Sequence, residues 1–188
     1  MAAVSGFRVR PDQEAWLTLP MAFPFNDIAD DLAWAAEVAQ DRAAEGAPAA
    51  VRTAIAESAL ALVRADPPLP GVLERFWWMP SIGRTAVVAH LTAVELDDSL
   101  SAEPLESFAQ LGVGGLVQVI APIEGSPFEE ALDCVLIIPL GEESIALRRQ
   151  IGRRAGTLVL MDVFVEDGVA LHAAEQDVSA LFASIHLR

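Results

Sequence analysis

Apolar residues recur every three or four positions in two neighbouring segments near the start of the chain, residues 26–39 and 48–62. This spacing places the apolar side chains of each segment on one face of a helix. Asn26 is a good N-cap for the first helix, and Pro48 suits the first turn of the second. The pattern therefore predicts two N-terminal helices, the first beginning at Asn26.

At Gly71 the hydrophobic pattern changes from helical to extended. Short apolar runs bounded by turn residues predict strands, here over residues 7–10, 16–19, 72–79, 85–96, 116–121, 132–138 and 157–166. The turn signal at residues 80–83 makes the strands on either side of it a candidate hairpin, and residues 104–109 are a candidate short helix. Mostly continuous apolar runs in the last two strands indicate that both faces of the sheet are covered.

The segment over residues 142–152 is compatible with two structures. Glutamates at 142 and 143 precede arginines at 148 and 149 and then Gly152, an order that complements a helix dipole and ends on a permissive C-cap. We favour a short helix here. The alternation of Ile145 and Leu147 keeps a strand open as the alternative.

The last part of the chain predicts a tight turn and a closing helix. Asp167 and Gly168 can turn a hairpin into a short strand over residues 169–171. Apolar residues at positions i, i+3, i+4 and i+7 from Val178 then predict a C-terminal helix over residues 174–185. Taken together, the elements predict a single α+β domain over residues 1–188. Its mainly antiparallel sheet is covered by helices as an α/β/α sandwich, with two N-terminal helices and one C-terminal helix.

Composition narrows the class of protein. The chain has 188 residues, is 53% hydrophobic and has a mean hydropathy of +0.40, yet no apolar run reaches the roughly 18 residues of a membrane span. The only cysteine, Cys134, lies in a predicted buried strand, and no signal-peptide pattern is found. Every basic residue is arginine and tyrosine is absent, which is typical of high-GC bacterial coding. We therefore expect a bacterial protein of the cytoplasm.

Charge is both acidic and unevenly distributed. Twelve basic residues against 27 acidic ones give a net charge of −15, which disfavours nucleic-acid binding. Between residues 85 and 147 there are 11 acidic residues and no arginine, and then Arg148, Arg149, Arg153 and Arg154 follow closely. The acidic stretch could steer a basic partner while the arginines bind a carboxylate or phosphate. Alternatively, the arginines neutralise nearby acids.

Two consecutive tryptophans, Trp77 and Trp78, lie in one predicted strand and so point to opposite faces of the sheet. Tryptophan is enriched at the centres of protein interfaces, and at least one of the pair could be exposed at an edge. It is equally ordinary in a core covered by helices. Both interpretations stay open.

Candidate catalytic groups are few. Asp162 interrupts an apolar run, so its carboxylate must be paired, and an internal ion pair with one of the nearby arginines is the favoured explanation. His90 lies in a predicted strand, where a sheet-face histidine is favoured over a catalytic base. His90, His172 and His186 share no metal-ligand spacing, so no metal or other cofactor is predicted. The stretch Glu124-Gly125-Ser126-Pro127-Phe128 lacks the second glycine of a nucleophile elbow.

Glycines 112, 114 and 115 precede a strand, whereas a dinucleotide loop follows one, so the simpler interpretation is flexible entry to that strand.

The order of elements resembles the Mog1/PsbP-like family of small α/β/α sandwiches, and four stretches of sequence are similar to bacterial members. These are Trp16-Leu17-Thr18-Leu19-Pro20, residues 116–126 with Pro122 and Gly125, residues 158–165, and Leu181-Phe182-Ala183-Ser184-Ile185. The resemblance implies a binding or assembly role and carries over no catalytic or binding residue.

The sequence therefore favours a non-enzymatic adaptor, chaperone or assembly factor that binds a protein partner through a charge-segregated surface. A homodimer is left open. The alternative is a small-molecule-binding sensor or enzyme whose pocket lies between sheet and helices and uses His90, Asp162 or the arginines.

Overall fold

The computed structural model describes residues 6–79, 87–141, 143–165 and 168–187. The helices are α1 Asp31–Arg42, α2 Ala49–Arg64, α3 Asp98–Ser101 and α4 Gly168–Ala183, with a 3-10 helix over Leu105–Phe108. The strands are β1 Phe7–Val9, β2 Trp16–Leu19, β3 Glu74–Trp78, β4 Val88–Glu95, β5 Leu116–Pro122, β6 Glu130–Leu140, β7 Glu143–Arg154, β8 Thr157–Val165 and β9 Ile185–Leu187. None of the described helices is long and apolar enough to cross a membrane.

Seven strands form one antiparallel sheet in the order β2-β3-β4-β8-β7-β6-β5, and β1 pairs with β9 in a separate two-stranded sheet. We call the side of the large sheet that carries α1, α2 and the 3-10 helix the first face, and the side that carries α4 the second face. The predicted α+β class, with helices on both sides of a mainly antiparallel sheet, is confirmed.

Each face has its own apolar core. On the first face, Trp34 and Ile55 of α1 and α2 pack over one end of the sheet, and Leu105 and Phe108 of the 3-10 helix pack over the other. On the second face, α4 covers the central strands β4 and β8 through residues such as Phe182. Because α4 lies over the centre, the outer strands β6 and β5 extend beyond it.

The first helix begins later than predicted. Its N-cap is Asp30, whose carboxylate accepts a hydrogen bond from the Ala33 N–H at 2.8 Å. Asn26 and Asp27 instead adopt left-handed backbone conformations with φ of 47° and 68°. Asparagine and aspartate tolerate this conformation well, so the residues that looked like a cap form the turn before it. The second helix is confirmed, with Pro48 as its N-cap.

The favoured helix is wrong over the described residues 143–152, where the strand alternative is right; Glu142 lies outside the described residues. Residues 143–154 form β7, which pairs with β6 on one side and β8 on the other. The charge order that suggested a helix dipole has another cause. Arg149 projects onto the first face to meet Asp162, and Arg148 projects onto the second face to meet Asp133.

The expectations for the end of the chain need two corrections. Residues 169–171 belong to α4 and are not a strand, which leaves no hairpin there; Asp167 lies outside the described residues. The helix ends at Ala183, because Ile185 starts β9 and is buried opposite Val9. The predicted hairpin of β3 and β4 is confirmed as an antiparallel pair, while its turn at residues 80–83 lies outside the described residues.

Candidate functional site

A row of polar side chains crosses the buried first face in register. Arg75 on β3 lies opposite His90 on β4, His90 opposite Asp162 on β8, Asp162 opposite Arg149 on β7, and Arg149 opposite Cys134 on β6. All five are buried. The structure thus brings together His90 and Asp162, the two residues that the sequence suggested for a pocket.

Arg149 and Asp162 form the internal ion pair that the sequence predicted. The Arg149 Nε donates to Asp162 Oδ1 at 2.6 Å and Nη2 donates to Oδ2 at 2.8 Å, while the two side chains are 0% and 2% exposed. The Arg149 Nη1 also donates to the backbone carbonyls of Ala109 and Leu111. Both carboxylate oxygens are therefore occupied, and the arginine fastens the segment after the 3-10 helix to the sheet.

His90 is held in its neutral form. It is 9% exposed, its ring meets the Phe164 ring edge to face with centroids 6.0 Å apart, and its Nδ1 is buried without a hydrogen-bond partner among the described residues. Burial, together with the positive charge of Arg75, lowers its pKa from 6.5 to about 4. Neither His90 nor Asp162 lines any of the grooves described below.

Arg75, which the sequence did not single out, closes the C-terminal end of α2. Its guanidinium donates to the carbonyls of Leu62, Val63 and Ala65 and to that of Pro20. The first three belong to the last turn and C-cap of α2, where carbonyls lack intrahelical partners and lie at the negative end of the helix dipole, whereas Pro20 precedes α1. The residue is 3% exposed, and burial lowers its pKa. Its role is to join α2 to the sheet.

The four arginines of the sequence cluster are divided between the two faces, and all donate hydrogen bonds within the chain. Arg149 and Arg153 share the first face, whereas Arg148 and Arg154 share the second. Arg148 binds the Asp133 carboxylate, with Nη2 at 2.6 Å from Oδ2. Arg153 pairs with Glu130 and also donates to two carbonyls of the α3 region, and Arg154 donates to a loop carbonyl.

Of the two interpretations left open for the tryptophan pair, the core position is the one that the structure shows. Trp77 and Trp78 do point to opposite faces, but they are only 3% and 8% exposed. Trp77 packs under α1 and α2, and Trp78 donates from Nε1 to Asp177 of α4 at 2.7 Å. Helices cover both faces at this position, so both tryptophans belong to the core.

Three of the six large apolar side chains that are exposed among the described residues lie together on β5, a strand that the sequence predicted but could not place. Leu116, Val119 and Ile120 are 69%, 52% and 40% exposed. Within the described residues, β5 pairs with β6 alone and forms one edge of the sheet. Long apolar edge strands are avoided in native proteins unless something binds them. The sequence indicated this surface only by an apolar run that lies within the acidic stretch of residues 85–147.

The open side of β5 offers backbone groups as well as side chains. The Ile123 N–H donates to the Ala131 carbonyl at 2.9 Å, which fixes the alternation of the ladder with β6. The N–H and C=O of Ile120 therefore point away from β6. A bulge between Val117 and Val119 and the missing N–H of Pro122 restrict the open stretch at either side.

An acidic groove of about 540 Å³ lies at the Pro122 end of β5, beside the 3-10 helix and the β5–β6 hairpin. Four glutamates line it, namely Glu106, Glu124, Glu129 and Glu130, together with Arg153. Arg153 is engaged by Glu130. The other three carboxylates have no cation partner among the described residues, so this groove attracts positive charge.

A second groove of about 330 Å³ lies between the outer strands and α4. Val119, Ala121, Val135 and Leu171 provide its apolar surface. Its polar lining comes from His172 and Glu175 of α4 and from the Asp133–Arg148 ion pair. The two grooves and the open edge form one continuous region around β5, which we call the β5 edge region. It offers apolar contact, backbone hydrogen bonding and negative charge.

Comparison with known proteins yields similar solved structures but no family. No family model matches the chain, and no curated protein matches it. The chain is similar to the solution structure of cyanobacterial PsbP (CyanoP) from Synechocystis sp. PCC 6803, with 7% sequence identity and a TM-score of 0.45. The similarity covers 98% of this chain and 94% of that one. The predicted resemblance to the Mog1/PsbP-like family is confirmed to this extent, and nothing about site or function is taken from it.

Proposed function

We propose that this protein is a non-enzymatic binding factor, an adaptor, chaperone or assembly factor, and that it holds a protein partner along the β5 edge region. The observation that carries the proposal is the combination of exposed apolar side chains and outward backbone groups on one edge strand. Fully burying an exposed valine, leucine or isoleucine side chain contributes roughly 1.5–3 kcal/mol. Three such residues on one strand give the edge an apolar contact surface for a partner.

The charge distribution supports the same surface. The arginines that follow the acidic stretch are engaged with acids and carbonyls of their own chain, so they leave Glu106, Glu124 and Glu129 uncompensated beside β5. A negative field at a docking surface raises the rate of encounter with basic partners. In this proposal the arginines stabilise the protein's own structure, and the three glutamates, which are unpaired among the described residues, face the partner.

The non-enzymatic character of the proposal is supported by the buried polar row. Both carboxylate oxygens of Asp162 accept hydrogen bonds from Arg149, and the His90 side chain is neutral and buried beside Phe164. A general base needs to reach the proton that it removes. The row therefore has a structural role: it holds α2 and the segment after the 3-10 helix to the sheet.

We also propose that residues 1–188 form a single domain, since the large sheet draws strands from Trp16 to Val165. Residence in the cytoplasm and dimerisation stay predictions from the sequence.

The test is recovery of a partner by tagged protein from the cells that make it. We expect Val119→Lys combined with Ile120→Lys to reduce recovery about tenfold or more, because two charges would be buried at the contact. Met21→Lys combined with Leu32→Lys, at side chains that are 45% and 61% exposed, adds the same two charges away from β5; it is the matched control and should retain the partner. Equal recovery by all three proteins, at unchanged melting temperatures, would contradict the proposal.

A further inference from the structure

We infer that the partner binds as an extended segment that adds an eighth strand to the sheet at β5, with basic side chains at the end that lies beside the acidic groove. This inference rests on the proposed function and specifies its occupant: a partner segment that is extended, apolar in alternation and basic at one end. Three independent features of the β5 edge region support it.

The first feature is the backbone. Ile120 directs its N–H and C=O to the open side of β5, the arrangement that an added strand uses for its main-chain hydrogen bonds. A helix has no unpaired backbone groups along its length to meet them. The seven residues of β5 span roughly 23 Å at about 3.3 Å per residue, so a segment of about seven residues can lie along the strand, with its main-chain hydrogen bonds centred on Ile120 between the bulge and Pro122.

The second feature is that apolar side chains flank the open edge on both faces. Ile120 lies opposite Cys134 and so shares the first face, while Val119 lies opposite Val135 and shares the second. Ile120 is 40% exposed and Val119 is 52% exposed. An added strand alternates its own side chains between the same two faces and would cover both. A partner that lay on one face alone would leave the other valine or isoleucine in water.

The third feature is charge, which sets the polarity of the occupant. Glu124 and Glu129 line the groove at the Pro122 end of β5, and both are exposed without a cation partner among the described residues. Arginine or lysine at the matching end of the segment would pair with them. A second copy of this chain is the poorer occupant, because it brings a further charge of −15 to an acidic site.

The test uses designed peptide probes and the purified full chain. The basic probe has three arginines followed by seven alternating valine and threonine residues, so that its arginines lie beside Pro122 when it pairs antiparallel to β5, as β6 does. The acidic probe replaces the arginines with glutamates. A third probe keeps the arginines and is N-methylated at every second residue, which removes the donors of one edge. We expect the basic probe to bind at least about tenfold more tightly than either of the others. The changes in backbone amide chemical shift that the basic probe causes in the protein should be centred on Leu116–Pro122.

Matched variants separate local recognition from general attraction to an acidic protein. Glu124→Lys with Glu129→Lys changes the net charge by the same amount as Glu45→Lys with Glu57→Lys, two exposed sites in the α1–α2 region. The first pair should lower the affinity for the basic probe about tenfold more than the second pair does. Equal losses would overturn the inference, as would equal binding of the N-methylated probe.

Failure of this inference is distinguishable from failure of the proposed function. If the β5 variants lose the cellular partner while the three probes bind equally, the protein is a binding factor whose occupant is not a basic strand, and the inference falls alone. If sedimentation shows a dimer that Ile120→Pro dissociates, a second copy occupies the edge and the inference again falls. Preference for the basic probe, mapped to β5 and lost in Glu124→Lys with Glu129→Lys, supports it.

Discussion

The guanidinium of Arg149 and the carboxylate of Asp162 meet across neighbouring strands in a two-pronged ion pair that is closed to solvent on all sides. The pair lies under the segment that follows the 3-10 helix, where Ala109 and Leu111 accept the remaining guanidinium hydrogen bonds. It therefore links three parts of the chain at one point.

Breaking this pair from one side should destabilise the protein strongly. Arg149→Met leaves the Asp162 charge buried without a partner, a change that typically costs about 3–5 kcal/mol. The double variant Arg149→Met with Asp162→Leu removes both charges and should recover much of that loss. Denaturant unfolding measures both effects.

An exposed ion pair provides the comparison for that experiment. Arg64 and Asp31 are 56% and 29% exposed, so solvent screens their attraction and Arg64→Met should cost only a small fraction of what Arg149→Met costs. A similar cost for Arg64→Met and Arg149→Met would show that burial does not set the strength of the Arg149–Asp162 pair.

His90 should make the protein less stable in mild acid. The unfolded chain protonates this histidine near its ordinary pKa of 6.5, whereas the folded chain resists protonation down to a pKa of about 4. Between these values the unfolded state binds more protons, so stability is complete above pH 6.5 and falls as the pH drops to 4, by about 3 kcal/mol.

The variant His90→Phe should remove this part of the pH dependence. Unfolding free energies of the wild type and the variant, measured between pH 4 and pH 7, give a difference curve with the predicted slope. His172→Ala, at a side chain that is 87% exposed, is the control. Parallel curves for wild type and His90→Phe would contradict the buried neutral state.

The close contact of Gly152 with Phe128 should not tolerate a methyl group. A Cβ built at Gly152 overlaps the Phe128 ring, which in turn stacks on Phe182 of α4 with centroids 5.0 Å apart. Gly152→Ala should therefore cost about 1–3 kcal/mol through overpacking.

The cause of that loss can be checked with two further variants. Gly114→Ala, at a glycine with nothing near its Cβ position, should be close to neutral, and Phe128→Leu should relieve part of the Gly152→Ala penalty. Thermal unfolding of the set measures these effects. Additive losses for Gly152→Ala and Phe128→Leu would mean that the two residues do not compete for space.

The sequence was sufficient where a local pattern and the tertiary structure agree. The helix over Ala49–Arg64 and the strands around Cys134 and Asp162 follow directly from periodicity, and the need to pair a carboxylate in an apolar run correctly led to an arginine. It failed at β7, where the charge order mimicked a helix. There, pairing with two neighbouring strands outweighed local preference.

Two features of the site could not be derived from the sequence because they depend on strand order. Whether Trp77 and Trp78 are exposed depends on which helices cover each face, and both faces are covered. Likewise, residues 116–122 read as an ordinary apolar strand until the sheet order places them at the edge. The hydrophobic pattern shows which residues alternate between the two faces of a strand, but it does not show which strand lies at the edge of the sheet.

The most direct test of the account is site-specific photocrosslinking in the cells that make the protein. A photoreactive residue replaces Gln118, which is exposed on β5, and in a second protein it replaces Leu32 on α1. We predict a discrete adduct with a different protein from position 118, absent from position 32 and lost when Val119→Lys is added. The same products from both positions, or an adduct only with a second copy of this chain, would contradict it.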